Sequence, residues 1–223
     1  LRLAKRAAAR GAVYPAAYFP LTGLEAEALE VPAELVMSIA RQESEFNHQA
    51  ASHVGALGLM QVMPATAQQM AEQLGMDYSR ARMTDDPLYN ARLGAAYLHG
   101  LRNRFGPSSA LVAAGYNAGP GRSRQWTEAF GDIRTETDPV DWVEMIPFDE
   151  TRNYVMRVTE ALPIYRARIP GQPVAVTPSK DLTGGGIVPP PPKARQTLAE
   201  VLTQSPRPPR EGDPLSPKAA AFT

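Results

Sequence analysis

From Pro32 onward, Leu35, Val36, Ile39 and Ala40 recur at the intervals of one helix face, and the next turn of that stripe arrives at Glu43. Glu34, Ser38, Arg41 and Glu45 fall on the opposite face, which the pattern assigns to water. Further helices follow. Residues 64–75 carry Ala67, Met70, Ala71 and Leu74 on one side and stop at Gly75. Residues 85–106 open with Asp86 as N-cap and Pro87 at the first helical position, and run through Leu93, Tyr97, Leu101 and Phe105 to Gly106. Residues 108–122 read as a short helix broken at Asn117–Gly121, with another through Trp126. Residues 148–168 place Thr151, Tyr154, Val155, Val158, Leu162 and Tyr165 on one side, and Pro163 is expected to end or kink that helix. No alternating run is long enough for a major strand, which leaves room for a small β element around 48–63.

The punctuation changes at Pro170. Residues 171–223 are rich in Pro and Gly ("GGGIVPPPPK", "SPRPPREGDPLSPK") and read as a flexible, solvated tail with polyproline II character. Within it "KARQTLAEVLTQ" (193–204) has the pattern of one short transient helix, and a PxxP partner motif is a second reading of the prolines. Lys+Arg and Asp+Glu both total 23 in the 223 residues, so no global field points to nucleic acid or to an anionic membrane. With no cysteine there is no disulfide, thiol nucleophile or thiolate metal site. No apolar run approaches the roughly 20 residues of a membrane span. The chain opens LRLAKR rather than with Met and shows no signal peptide, which reads as a mature form or a piece of something longer.

Three chemistries are set aside by spacing. His48, His53 and His99 do not share a helix face and belong to no HExxH motif, so no metal is expected. No GxSxG elbow presents a serine. The Gly-rich stretches "VGALGLMQVMP" (54–64) and "AAGYNAGPG" (113–121) lack phosphate-cradling grammar. Those glycines either only permit tight packing or form close turns that bring Gln61, Tyr116 and Asn117 against a site. Carboxylates remain. A carboxyl withdrawn from water holds its proton more tightly and can donate it to a leaving group. For Glu43 the stripe alone leaves two readings open: an acid of this kind, or a helix-edge Glu paired with an Arg from elsewhere in the fold.

The series "ARQESEFN", "GALGLMQVMPATA" and "AAGYNAGPGR" resembles the ES, GLMQ and AYNAGP motifs of the soluble lytic transglycosylases, which cleave bacterial peptidoglycan. "YPAAY" (14–18) and "VEMIPFDETRNYV" (143–155) resemble the flanking motifs of the large periplasmic members of family 1. Gly115 departs from the Ala usual before the Tyr, and Pro163 puts the end of the domain in doubt. The resemblance implies a mostly α, lysozyme-like fold with a small β-hairpin and a long glycan groove. It divides the chain into the remnant of a preceding helical region (1–13), a catalytic domain (14–168) and a Pro-rich tail (169–223).

It also implies roles. Glu43 matches the single catalytic acid/base, and Tyr116 the tyrosine that orients its carboxyl. Ser44 matches the residue that helps hold the acid, Gln61 and Met63 match groups lining the sugar sites, and Asn117 lies in the tyrosine's motif. Glu144 matches a second acidic residue contacting substrate, and Tyr154 belongs to the supporting wall. The implied substrate is the glycan strand of peptidoglycan, cleaved between N-acetylmuramic acid and N-acetylglucosamine with formation of 1,6-anhydromuramyl ends, in the periplasm and without a cofactor. A lysozyme-type hydrolase and a silent glycan-binding module stay as alternatives, and protein partners are not indicated.

Overall fold

The computed structural model describes residues 1–172 and 176–185. Among these the regular structure is helical: α1 (Arg2–Ala8), α2 (Pro15–Tyr18), α3 (Ala33–Ser44), α4 (Pro64–Gln73), α5 (Arg82–Asp85), α6 (Pro87–Phe105), α7 (Ser109–Ala118), α8 (Pro120–Phe130), α9 (Pro139–Glu144), α10 (Asp149–Arg168) and α11 (Pro178–Thr183). No described helix is long and apolar enough to cross a membrane. Residues 48–63 contain two isolated antiparallel bridges, Ala51 with Leu57 and Leu57 with Val62, and no strand forms among the described residues. The β-hairpin expected there is thus reduced to single pairings. The helix and PxxP readings of the tail at 186–223 lie outside the described residues.

Two units divide the chain, one of Leu1–His99 with Ala161–Val176, the other of Gly100–Glu160 with the segment from Thr177. In the first, α3 is buried on every side: Leu35 to Arg41 is continuously buried, as are Glu43 and Ser44. This corrects the polar face that the spacing assigned to water. Arg41, only 8% exposed, donates from Nε to the Tyr18 carbonyl at 3.3 Å. Its guanidinium lies 5.0 Å from the Tyr18 ring centroid and 4.4 Å from that of Phe19. Phe19 meets Tyr165 of α10 edge-on at 5.7 Å. Glu34 pairs with Arg166 at 3.4 Å, and Ser38 returns its hydroxyl to the Glu34 carbonyl at 2.7 Å. The YPAAYF segment and the end of α10 therefore take the place of solvent, with aromatic faces receiving the cation. Burial pushes the Tyr165 phenol well above its ordinary range. Glu45, also expected in water, pairs with Lys5 and Arg2 of α1.

The loop between α3 and α4 is pinned to α6 by one side chain. Asn90, fully buried, donates from Nδ2 to the Leu57 carbonyl at 2.9 Å and accepts the Met60 amide at 2.8 Å. The approach is close enough that a Cβ on Gly58 (φ +77°) would overlap the Met83 carbonyl and the Asn90 amide. A Cβ on Gly94, one turn along α6, would lie 2.5 Å from the Met60 sulfur. At the head of α6, Asp86 accepts the Tyr89 amide at 3.0 Å, and the hydrogen bond from Arg82 holds its carboxyl below the usual range.

In the second unit α7 is apolar all round and buried from Ser109 to Asn117. Gly115 permits this: a Cβ there would come 3.1 Å from the Phe105 ring and 3.2 Å from Leu101. Gly119 (φ +90°) ends α7 and opens α8 with Pro120 behind it, and Ser123 bonds back to the Leu111 carbonyl at 2.9 Å. Trp126 meets Phe148 edge-on at 5.4 Å, and the Trp142 indole donates to the Gly131 carbonyl at 3.1 Å.

The helix end expected at Pro163 is not found, and the reading of the tail needs one correction. α10 continues through Pro163 to Arg168, giving up the one backbone bond that residue 163 cannot donate, because Val158, Leu162 and Tyr165 around it are buried and hold the helix in place. The expectation of flexible chain from residue 169 does not hold at α11, whose Leu182 and Thr183 are buried.

Asn90→Ala should remove one hydrogen bond from the Leu57 carbonyl, which keeps the Val62 amide, and one from the Met60 amide, at about 0.5–1.5 kcal/mol each. Denaturant unfolding should therefore show a loss of about 1–3 kcal/mol, and a loss under about 0.5 kcal/mol would show that the loop is held by other means.

Candidate active site

Of the residues the sequence singles out, Glu43, Ser44, Gln61 and Met63 lie in the first unit, and Tyr116, Asn117, Glu144 and Tyr154 in the second. In the first, α3 delivers Glu43 on its last turn and stops at once. Glu45 (φ 53°) and Phe46 (φ 64°) are both left-handed, a conformation that costs a residue with a Cβ about 1–2 kcal/mol each. Ser44 holds that ending. Its Oγ lies 2.6 Å from the Leu59 carbonyl and 3.3 Å from the Ala40 carbonyl of its own helix. A hydroxyl has one hydrogen, and the shorter contact takes it, so the bond crosses from α3 to the GLMQ loop. Ser44 also receives the Asn47 amide on its carbonyl at 2.9 Å, which closes the turn. Glu43 is 8% exposed.

Gln61 is itself left-handed (φ 48°) and buried. Its amide nitrogen donates to the Gly58 carbonyl at 2.9 Å and the Ala50 carbonyl at 3.0 Å, so both N–H groups are engaged within the loop. Met63 stands half-buried just before α4. The first group thus joins one carboxyl to a loop whose glutamine amide is satisfied within that loop.

In the second unit, Tyr116 and Asn117 occupy the last turn of α7, both buried. Asn117 accepts the Thr151 hydroxyl at 2.6 Å and reaches Glu150 at 3.5 Å, so it fastens α7 to the first turn of α10. Tyr154, one turn further along α10, is buried. Glu144 closes α9 and faces solvent.

Two residues with a part in this architecture escape the sequence reading. Asn90 sits three residues before Leu93 on the apolar stripe of α6, so the stripe rule that singles out Glu43 also reaches Asn90 when extended one turn. Arg41 has no such signal, because its aromatic partners come from a segment more than twenty residues earlier.

Residues 21–138 match the profile of the Transglycosylase SLT domain. The chain belongs to that family. Among curated relatives, the soluble lytic murein transglycosylase of Escherichia coli K12 is 40% identical over 154 residues, covering 69% of this chain and 23% of its own length. The chain therefore spans about a quarter of that relative. Two solved structures are similar. The 70 kDa soluble lytic transglycosylase from Escherichia coli has a TM-score of 0.66 at 35% identity, covering 75% of this chain and 28% of that one. An inactive glutamate-to-glutamine mutant of lytic transglycosylase Slt from Pseudomonas aeruginosa has a TM-score of 0.58 at 41% identity, covering 65% and 23%.

Ser44→Ala removes the donor to the buried Leu59 carbonyl and should cost about 1–3 kcal/mol. Hydrogen exchange should accelerate at the Asn47 amide, and unchanged exchange there would show that the turn holds without the hydroxyl.

Proposed function

We propose that residues 14–168 form a lytic transglycosylase domain that cleaves the β-1,4 bond between N-acetylmuramic acid and N-acetylglucosamine in periplasmic peptidoglycan, leaving 1,6-anhydromuramyl ends. The observation that carries this reading is Glu43, a buried carboxyl on the last turn of α3, beside a serine bonded to the GLMQ loop. Membership of the Transglycosylase SLT domain family supports it. So does the glutamate-to-glutamine exchange in the inactive Pseudomonas relative.

The chemistry asks one carboxyl to act twice. Glu43, protonated, gives its proton to the glycosidic oxygen; the C1–O bond breaks and its electron pair leaves on the departing 4-hydroxyl. The muramic 2-acetamido oxygen attacks C1 and forms an oxazolinium intermediate. Glu43, now a carboxylate, takes the proton of the C6 hydroxyl. O6 bonds to C1, the bond from the acetamido oxygen breaks, and no water is consumed. An acid that must become a base within one turnover works best with a pKa near the operating pH. Two-carboxylate glycosidases instead place a second carboxylate about 5–5.5 Å or 6.5–9.5 Å from the acid.

The other roles follow the family resemblance: Tyr116 stands for the motif tyrosine that supports the acid, Ser44 for the residue that helps hold it, Gln61, Met63, Asn117 and Glu144 for substrate-contacting groups, and Tyr154 for a supporting one. For Gln61 and Asn117, whose amides are engaged by backbone or by neighbouring side chains, the contribution is to shape the glycan path by holding loop and helix in place.

Glu43→Gln should abolish cleavage of purified peptidoglycan while leaving sedimentation with the insoluble polymer unchanged. The amide fills the same volume but neither delivers nor accepts the proton, so both half-reactions fail together. Cleavage above about one part in a hundred of the parent rate, the low end of acid–base contributions, would remove Glu43 from the mechanism.

A further inference from the structure

Residues 177–185 carry a composition that promises no structure, yet they are built into the second unit. α11 packs against α7 and α9. Leu182 and Thr183 are buried, the latter nearly completely. Thr183 Oγ1 lies 2.9 Å from both the Ser179 and the Gly185 carbonyls, which closes the end of the short helix on itself. Gly184 follows with φ +78°, and its amide donates to the Lys180 carbonyl at 2.8 Å. No larger residue fits there. A Cβ at 184 would lie 2.5 Å from the Ser108 amide nitrogen and 2.6 Å from the Pro107 carbonyl oxygen, so glycine is required by both its backbone angle and its surroundings.

The polar seam of this contact is a single hydroxyl. Ser108, fully buried, donates from Oγ to the Leu182 carbonyl at 2.6 Å and accepts the Leu111 amide at 3.3 Å. Ser108 is the N-cap of α7, the helix whose last turn carries Tyr116 and Asn117. One side chain thus satisfies an orphan donor of that helix and bonds a carbonyl of the tail.

We propose that the start of α7 together with α9 forms a peptide-docking surface specific for a short helix ending in Leu-Thr-Gly-Gly, occupied in cis by residues 177–185. Leu182 is its apolar anchor, Gly184 its steric selector and Ser108 its polar reader. Tethering places the segment at an effective concentration on the order of millimolar, so a surface that binds the isolated peptide only weakly is still filled in the intact chain. The proposal stands independently of the glycan chemistry.

The test uses the full chain and two variants. Gly184→Val obstructs the close approach, and Leu182→Ala shrinks the anchor without adding bulk or charge. Native-state trypsin should cut after Lys180 at least about tenfold faster in Gly184→Val and by a smaller factor in Leu182→Ala. Exchange at the Leu111 amide should rise in the same order, and melting should fall by at least about 2–4 °C in Gly184→Val. A synthetic peptide of residues 177–185, added at several times the millimolar tether concentration, should restore Leu111 protection in Gly184→Val, while a peptide carrying the Gly184→Val change should not. Equal cleavage after Lys180 in all three chains, or protection restored equally by both peptides, would overturn the proposal.

Discussion

The first unit depends on how abruptly α3 stops. A helix that carries a carboxyl on its last turn must turn away at once if that carboxyl is to stand at an edge and not be covered by another turn. Two successive left-handed residues, Glu45 and Phe46, do this without a glycine, at about 1–2 kcal/mol each. The Ser44 hydroxyl on the Leu59 carbonyl and the Asn47 amide on the Ser44 carbonyl offset part of that cost. Asn90, from α6, fixes the loop that Ser44 grips. The order of dependence runs from Asn90 to the Gly-rich loop, from the loop to Ser44, and from Ser44 to Glu43. Strain concentrated next to a reacting group and held by surrounding structure is a recurrent property of functional sites.

Behind the carboxyl, the helix is immobilised by groups that elsewhere would sit in water. Arg41 is held by two aromatic faces and a carbonyl, and Glu34 by Arg166. A purely apolar contact could slide along α3, whereas a cation between Tyr18 and Phe19 with its Nε on a particular carbonyl fixes one register. In this way the YPAAYF segment closes the far side of the helix that carries Glu43.

Most helices were legible because their punctuation is local. Asp86–Pro87, Gly106, Gly119–Pro120 and Gly75 each mark an end through their own backbone chemistry. Glu43 was legible because it breaks an apolar stripe, and its burial follows that stripe. What failed was whatever depends on distant partners. The polar face of α3 reads as solvent-facing until residues 18, 19, 165 and 166 are in place. The pairing around 48–63 stays at isolated bridges, with the Leu57 carbonyl and Met60 amide bonded to Asn90 and the Gln61 amide turned inward. α11 was hidden by its proline-rich surroundings, because its docking rests on Ser108 and Pro107 some seventy positions earlier. Pro163 does not end α10, because a helix buried on both sides of a proline tolerates the loss of one backbone bond.

The central claim is that one carboxyl serves as acid and then as base, with the substrate's own hydroxyl closing the ring in place of water. Digesting purified peptidoglycan in heavy-oxygen water and weighing the muramyl products tests this directly. The account predicts ends that carry no solvent oxygen and are lighter than hydrolysed ends by one water. Solvent oxygen at the muramyl C1 would contradict it.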